Sequence, residues 1–109
     1  MNQRIQIFDQ DGKFIDQWKQ FGRPSGIFIS KDDTLYSVDS SSSHKTNPGV
    51  KRGIRIGSAK DGRVTGFVPP HAVPNSADGA MGEGIAIDAA GNVYTAEAQL
   101  RGITKYVRK

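Results

Sequence analysis

Residues 26–39 read GIFISKDDTLYSVD and residues 84–97 read GIAIDAAGNVYTAE, so one pattern returns after 58 residues. Each copy holds a run of alternating isoleucines, an acidic or glycine-containing turn, and a second run of β-forming residues. Alternation with a period of two predicts strands with one buried face, and the short turn between them predicts a hairpin. Self-similarity at this period indicates a repeated supersecondary unit, and this repeat decides the fold.

A second repeat accompanies the first. Residues 5–13 read IQIFDQDGK and residues 54–63 read IRIGSAKDGR, so that two isoleucines and an Asp-Gly pair recur. Asp-Gly accepts positive φ angles and therefore predicts a tight hairpin turn in each copy. Ile103 begins a third copy. With the strands of one repeat labelled A to D, the chain runs C-D, then A-B-C-D, then A-B-C, which makes nine predicted strands.

This strand order predicts an all-β fold, namely a β-propeller fragment of about two four-stranded antiparallel blades plus an extra strand. The single partial domain spans residues 1–109, with strands C-D in 1–20, a full blade A-D in 24–68 and strands A-C in 82–109. A four-stranded antiparallel unit of about 40–50 residues is typical of a propeller blade, and a small sandwich or meander is the alternative. Both ends leave open sheet edges, so we expect completion by self-association into a homo-oligomer.

The strand phase also predicts which side chains form the core. We expect most of the surface to be buried at Ile5, Ile7, Phe14, Ile27, Ile29, Leu35, Ile54, Ile56, Val64, Ile85, Ile87, Val93 and Ile103. The turn acids should hydrogen-bond to turn backbone, at Asp9, Asp11, Asp32, Asp33, Asp61 and Asp88. Asp39 and Glu97, at the ends of the two B strands, should form salt bridges with the C-strand arginines Arg4, Arg52 or Arg101.

Two polar segments, residues 40–50 and 69–81, are predicted to be long loops because serine, glycine and proline cluster there. The B–C and D–A connections of an antiparallel unit lie at the same end, so both loops should crowd one face. Loops on a rigid scaffold commonly carry binding residues, so a small-molecule or peptide ligand is expected on this face. The candidate ligand-binding residues are Ser25, His44, His71 and Glu83.

Composition excludes several kinds of site. The chain has no cysteine, which excludes disulfides and thiolate metal sites. The net charge of +4 comes without a basic stripe interleaved with aromatic residues, so no nucleic-acid partner is expected. No apolar run approaches the roughly 20 residues of a membrane span, and no signal peptide is visible, which leaves the compartment unassigned. No GxSxG, HExxH or SxxK motif is present, so no catalytic residue is assigned.

The repeat resembles the NHL repeat. The resemblance rests on Pro24-x-Gly26-Ile27-x-Ile29 with Leu35-Tyr36-x-x-Asp39, on residues 84–97, and on residues 2–14 as an outer hairpin. The chain is similar to the C-terminal part of six-bladed propellers related to peptidyl-α-hydroxyglycine α-amidating lyase, whose members are often exported. The resemblance implies a propeller fold and leaves the activity open, because propellers host many functions.

The lyase family implies zinc held by histidines, one of which lies between the Pro and Gly that open strand A. This chain has Ser25 and Glu83 at the matching positions; serine is not a usual zinc ligand, whereas glutamate can be one. We therefore expect an NHL-type binding or scaffold module without a complete catalytic set and without a cofactor. The alternative is the C-terminal portion of an amidating-lyase-like metalloenzyme whose metal ligands lie in absent blades. Zinc or calcium at His44, His71 and Glu83 is the corresponding metal-site alternative.

Overall fold

The computed structural model describes residues 3–45, 48–73, 76–97 and 102–108. Within these ranges the chain is all-β, as the sequence predicts, and contains no helix. Accordingly, none of the described residues belongs to a helix that is long and apolar enough to cross a membrane. The strands are β1 (Ile5–Phe8), β2 (Phe14–Trp18), β3 (Gly26–Ile29), β4 (Thr34–Asp39), β5 (Gly53–Ser58), β6 (Val64–Val68), β7 (His71–Val73), β8 (Ser76–Ala80), β9 (Gly84–Ile87), β10 (Val93–Glu97) and β11 (Gly102–Tyr106).

The strands form four antiparallel sheets. Strands β3 to β6 pair in sequence order to make a four-stranded meander, which we call the first sheet. Strands β9 to β11 make a three-stranded meander, the second sheet, and β1–β2 and β7–β8 are separate hairpins. The described part of the chain therefore has strands at all nine predicted places, and one hairpin that was not predicted.

The additional hairpin, β7–β8, corrects the prediction of a loop over residues 69–81. His71 lies opposite Ala80 and Val73 opposite Ser76, with an irregularity between the two pairs. Pro69 and Pro70 precede β7 and do not interrupt it. Because β7 has only three residues, its sequence is too short for a period of two to be recognised.

The sequence repeat is also a repeat of strand register. The pairs Gly26↔Val38 and Ile29↔Leu35 in the first sheet correspond, 58 residues on, to Gly84↔Ala96 and Ile87↔Val93 in the second. The turn between these strands repeats as well: Asp33 (φ 63°) and Gly91 (φ 87°) share one position. Since positive φ is uncommon for a residue with a side chain, the turn of the first copy carries strain that glycine avoids in the second.

The outer hairpins repeat in the same way. β1 pairs with β2, and β5 pairs with β6, in corresponding registers that start from Ile5↔Trp18 and Ile54↔Val68. Both hairpins have a register shift at the same place, after Ile7 in one and after Ile56 in the other. A bulge at a matched position is a specific feature of the backbone, so the two hairpins are two copies of one structure.

The two sheets pack head to tail. Val38 and Ile54 lie on one face of the first sheet and are fully buried against Val93 of the second sheet and Met81. In the first sheet the residue equivalent to Val93 is Leu35, whose side chain points to the face opposite Val38, because residues separated by an odd number alternate faces. The first sheet therefore packs with the face that carries Val38, whereas the second sheet packs with the face that corresponds to Leu35. Phe21, which is fully buried after β2, packs against Gly57, the residue opposite Leu35: a Cβ atom added to Gly57 would be 3.0 Å from the Phe21 ring.

Burial agrees with the predicted strand phase only in part. Leu35, Ile54 and Val93 are buried, and the positions of intermediate exposure are Ile5, Ile7, Ile56, Ile85 and Ile87. The prediction is wrong for five residues, which are exposed: Phe14, Ile27, Ile29, Val64 and Ile103. The sequence analysis missed three core residues, Phe21, Val38 and Met81.

The exposed isoleucines have a physical explanation. Ile27 and Ile29 are 48% and 53% exposed, whereas their counterparts Ile85 and Ile87 pack against the first sheet. The face that carries Ile27 and Ile29 is the one that a preceding sheet would cover, and among the described residues only the hairpin β1–β2 precedes it. Ile103, 75% exposed, lies on the opposite free face, that of the second sheet.

Candidate functional site

One end of both sheets gathers the residues that the sequence singled out. This end, which we call the loop end, contains the start of β3 and the end of β4, where Asp39 lies opposite Gly53. The start of β9 lies directly beside the start of β3: a Cβ atom added to Gly26 would be 2.5 Å from the carbonyl oxygen of Glu83. The corresponding residues of the two sheets are therefore neighbours at the loop end.

Ser25 fastens the two sheets together at this point. Its Oγ lies 3.2 Å from the carbonyl oxygen of Val38 and 3.3 Å from that of Glu83, and it accepts a hydrogen bond from Ser40 Oγ at 3.1 Å. Glu83 contributes its backbone to this contact and donates its own N–H to Ala96, while the residue is exposed. Ser25 thus has a structural contact between sheets, and Glu83 leaves its carboxylate to solvent.

His44 contacts the hairpin β7–β8, which the sequence did not predict. Asp78, on β8, accepts a hydrogen bond from the backbone N–H of His44 at 2.9 Å and contacts His44 Nδ1 at 2.9 Å with its other oxygen. The hydrogen bond from this backbone N–H is the main cause that lowers the pKa of Asp78, and the His44 ring and Arg52 lower it further against the smaller opposing effect of desolvation. Asp78 is therefore an ionised carboxylate with both oxygens engaged by one residue.

His71 contacts a buried acid. His71 Nε2 lies 2.5 Å from Oε1 of Glu97, whose side chain is 6% exposed, and Thr104 donates to the second oxygen. Burial by itself would raise the pKa of Glu97, but the hydrogen bonds from Thr104 and His71 and the charge of His71 outweigh it, so the net pKa is lowered. Glu97 thus ties β7 to the second sheet.

Asp39 and Glu97 have partners other than the predicted ones. Asp39 is fully buried and lies 3.6 Å from Arg55, and its oxygens also accept the backbone N–H groups of Arg23, Ser41 and Ser42. The arginines Arg4 and Arg52 make no such pair: Arg4 Nε is buried without a partner in the described chain, and Arg52 donates to backbone carbonyls. Arg101 lies outside the described residues.

Four of the six turn acids behave as the sequence predicts, whereas the defined side-chain contact of Asp33 is with Lys60, at 4.0 Å. Asp9, Asp32, Asp61 and Asp88 each accept hydrogen bonds from backbone N–H groups two or four residues later. The pKa of Asp88 is lowered chiefly by the N–H of Asn92, and Tyr94 adds a further hydrogen bond from its hydroxyl at 2.9 Å. These carboxylates stabilise the end of the sheets opposite the loop end.

The loop end does not bring together the ligands of the alternative metal site. Both histidines lie there, but His44 is bound to Asp78 and His71 to Glu97 in two separate pairs. Across the ranges that the structure describes, no group of three or more His, Asp or Glu side chains could hold a metal ion. The geometry therefore does not bring His44, His71 and Glu83 together as ligands.

A cavity of 510 Å³ opens between the first long loop and the hairpin β7–β8. It is lined by His44, Gly49, Val50, Lys51, Arg52, Pro69, Pro70, Ala77 and Asp78. Arg52 joins the two walls, because its Nε donates to the carbonyl oxygen of Ser42 at 2.9 Å and a terminal nitrogen donates to that of Gly79 at 3.1 Å.

Of the four predicted site residues, only His44 lines this cavity. Sequence reasoning missed Lys51, Arg52 and Asp78 as site residues. The available signal was their position, since all three lie in or next to the two segments predicted to share the loop end.

No protein-family model matches the chain, and no curated protein matches it either.

Proposed function

We propose that this chain is an NHL-type β-propeller segment that serves as a binding or scaffold module, with its ligand at the loop end. The observation that carries the proposal is that the first and second sheets repeat each other in register and pack by opposite faces. In this proposal each sheet is one blade, and the hairpin β1–β2 is the outer half of the blade before them.

Head-to-tail packing supports a ring architecture. A contact between two different faces can be repeated indefinitely by the same rotation, and it generates a closed ring when the rotation divides the circle. The close approach of Gly26 to Glu83 and Gly84 places the first strands of the two sheets side by side. In a propeller these are the strands that surround the central axis.

The same packing supports self-association as the way in which the segment is completed. Five of the nine large exposed apolar side chains belong to the two terminal units: Phe8, Phe14 and Ile15 on the hairpin β1–β2, and Ile103 and Val107 on or next to β11. The other four, Ile27, Ile29, Val64 and Phe67, lie on the first sheet. Covering the terminal side chains requires a further sheet at each end, which a second or third copy of the chain supplies. We therefore propose a homodimer or homotrimer.

The binding role is supported by the cavity at the loop end of the sheets. The loop end holds a cavity whose two walls are joined by Arg52, and its volume of 510 Å³ is within the range of about 300–1,000 Å³ common for small-molecule sites. At the opposite end the connections are short turns stabilised by their own acids, as at Asp9 and Asp88. The lyase-type alternative, whose metal ligands would lie in absent blades, gains no support from Ser25, whose hydroxyl contacts backbone carbonyls.

The proposal is tested by nuclear magnetic resonance of the ¹⁵N-labelled chain with a fragment library and a set of tripeptides. We expect the amide signals that shift to come from residues 48–52 and 76–80. Shifts confined to the turns at residues 30–34 and 88–92 would contradict a ligand face at the loop end, as would the absence of any shift across the library.

A further inference from the structure

We infer that the cavity at the loop end binds a small ligand that combines one carboxylate with an apolar body. The inference rests on the proposed function in that it takes the loop end as the ligand face. It concerns the charge and the polarity of the cavity lining, which together define a chemical class of ligand.

The apolar part of the ligand follows from the walls. Val50 and Ala77 face the cavity from the first loop and from β8, and Pro69 and Pro70 line it after β6. Proline rings are rigid and apolar, so these walls favour the burial of an aliphatic or aromatic group. A sugar or a fully polar ligand would lose hydration there without gaining partners.

The acid in the lining, Asp78, already has a partner for each of its two carboxylate oxygens. Asp78 uses one oxygen for the backbone N–H of His44 and the other for its ring, at 2.9 Å each. A cationic ligand would have to compete with both contacts, which also lower the pKa of Asp78. The cavity is therefore a poor site for a cation.

The basic side chains that line the cavity remain available to bind an anion. Arg52 donates from Nε and from one terminal nitrogen to backbone carbonyls, while its other terminal nitrogen makes no hydrogen bond within the described part of the chain and is not buried. The two carbonyl contacts hold the guanidinium in place, so little side-chain entropy remains to be lost when an anion binds. Lys51 is exposed beside it.

The charge balance favours a monoanion. Lys51 and Arg52 contribute two positive charges and Asp78 one negative charge, which leaves one positive charge in excess when His44 is neutral. A carboxylate matches this excess and can accept a charge-assisted hydrogen bond from the remaining terminal nitrogen of Arg52. A polyphosphate or a nucleic acid would place several charges against a single excess charge.

The experiment uses a matched pair of probes, N-acetyl-L-leucine and its uncharged amide, titrated into the ¹⁵N-labelled chain. We expect the acid to shift the signals of residues 48–52 and 76–80 and to bind at least about tenfold more tightly than the amide, since a hydrogen bond to a charged group is worth that factor. Raising the salt concentration should weaken the binding of the acid and leave the binding of the amide unchanged.

Variants locate the charge that is responsible. Lys51→Gln and Arg52→Gln should each reduce the acid-to-amide preference, and Arg52→Lys should retain part of it. Lys60→Gln is the matched control, because it removes one exposed positive charge beside Asp33, in the turns at the opposite end. Its affinity for the acid should equal that of the unmodified chain. Should Arg52→Gln loosen the loop, Lys51→Gln alone still tests the inference.

The outcomes separate the inference from the proposed function. Equal binding of acid and amide at the loop end would overturn the carboxylate and leave the ligand face standing. A preference for the acid that survives both Lys51→Gln and Arg52→Gln would overturn this cavity as its source. Binding of neither probe would overturn the inference, and the fragment library then decides separately whether the loop end is a ligand face.

Discussion

Ile54 and Ile103 occupy the same position in the repeat and have opposite environments, which makes them a quantitative probe of how the sheets pack. Ile54 pairs with Val38 and Ile103 with Ala96, at equivalent points of the two sheets. Ile54 is 0% exposed and Ile103 is 75% exposed. The same substitution at the two positions removes the same atoms. Ile54 has a packed neighbouring sheet and lies between two strands, whereas Ile103 lies on an edge strand whose face is free.

The expected loss of stability follows from the number of buried carbon atoms that each substitution removes. Replacing isoleucine by alanine removes three carbon atoms, which at about 0.8 kcal/mol each cost about 2.4 kcal/mol when fully buried. The cavity left behind brings the expected cost of Ile54→Ala to about 2–5 kcal/mol. With a quarter of its surface covered, Ile103→Ala should cost no more than about 0.6 kcal/mol on the same basis.

Urea unfolding followed by the fluorescence of the single tryptophan measures both values. The protein is kept at submicromolar concentration, where association contributes least to the apparent stability. If Ile54→Ala leaves too little folded protein, Ile54→Val should cost about 0.5–1.5 kcal/mol. Equal losses for the two alanine variants, with unchanged slopes against urea, would refute head-to-tail packing of the two sheets.

Three further predictions use the same repeat or the buried acid. Ile87→Ala should destabilise the chain by roughly 1–3 kcal/mol and Ile29→Ala by less than about 1 kcal/mol; equal values in urea unfolding would show that the faces are misassigned. Gly12→Ala should lower the free energy of unfolding by about 1 kcal/mol, because its φ angle is positive. Gly62→Ala should lower it by more and should shift the fluorescence emission of Trp18, whose ring lies 2.7 Å from the added Cβ. Unchanged emission would contradict this contact. Because the folded pKa of Glu97 is lowered, its stabilisation is present above about pH 4.3 and is lost as the pH falls through the folded pKa. Unfolding of Glu97→Gln should therefore depend less on pH between about pH 6 and pH 3, and identical pH profiles would contradict the assignment.

Periodicity and turn chemistry were sufficient to predict the repeat and nine of the eleven described strands. Gly12 and Gly62, each after an aspartate, have the positive φ angles that a tight turn requires. The positions of β1 to β6 and β9 to β11 follow from alternation that is local to each strand. Local signals of this kind do not depend on which sheet lies next to which.

Burial could not be read in the same way, because it depends on neighbouring sheets. Ile27 and Ile85 have the same local sequence pattern, yet only Ile85 has a sheet to pack against. The core residue Met81 lies in a segment with no alternation, so no pattern indicated it. Its burial results from the position of the segment between the two sheets.

The partner of Asp39 could have been predicted from the sequence. Once Asp39 is placed opposite Gly53, Arg55 lies two residues further along the neighbouring strand on the same face, which is the diagonal position of a cross-strand pair. The site residues Lys51 and Asp78 were harder to predict, since Asp78 lies on a hairpin with too few residues for a periodic signal. The cavity depends on that hairpin, so its lining followed only from the structure.

We propose that the two terminal faces left by head-to-tail packing of these sheets are covered by further copies of the chain. Light scattering coupled to size exclusion at micromolar concentration tests it most directly, because it measures the mass of the assembly. We predict a mass two or three times the 11.8 kDa of one chain, falling towards one chain when Ile103 is replaced by lysine. A stable, cooperatively folded monomer at this concentration would contradict the claim.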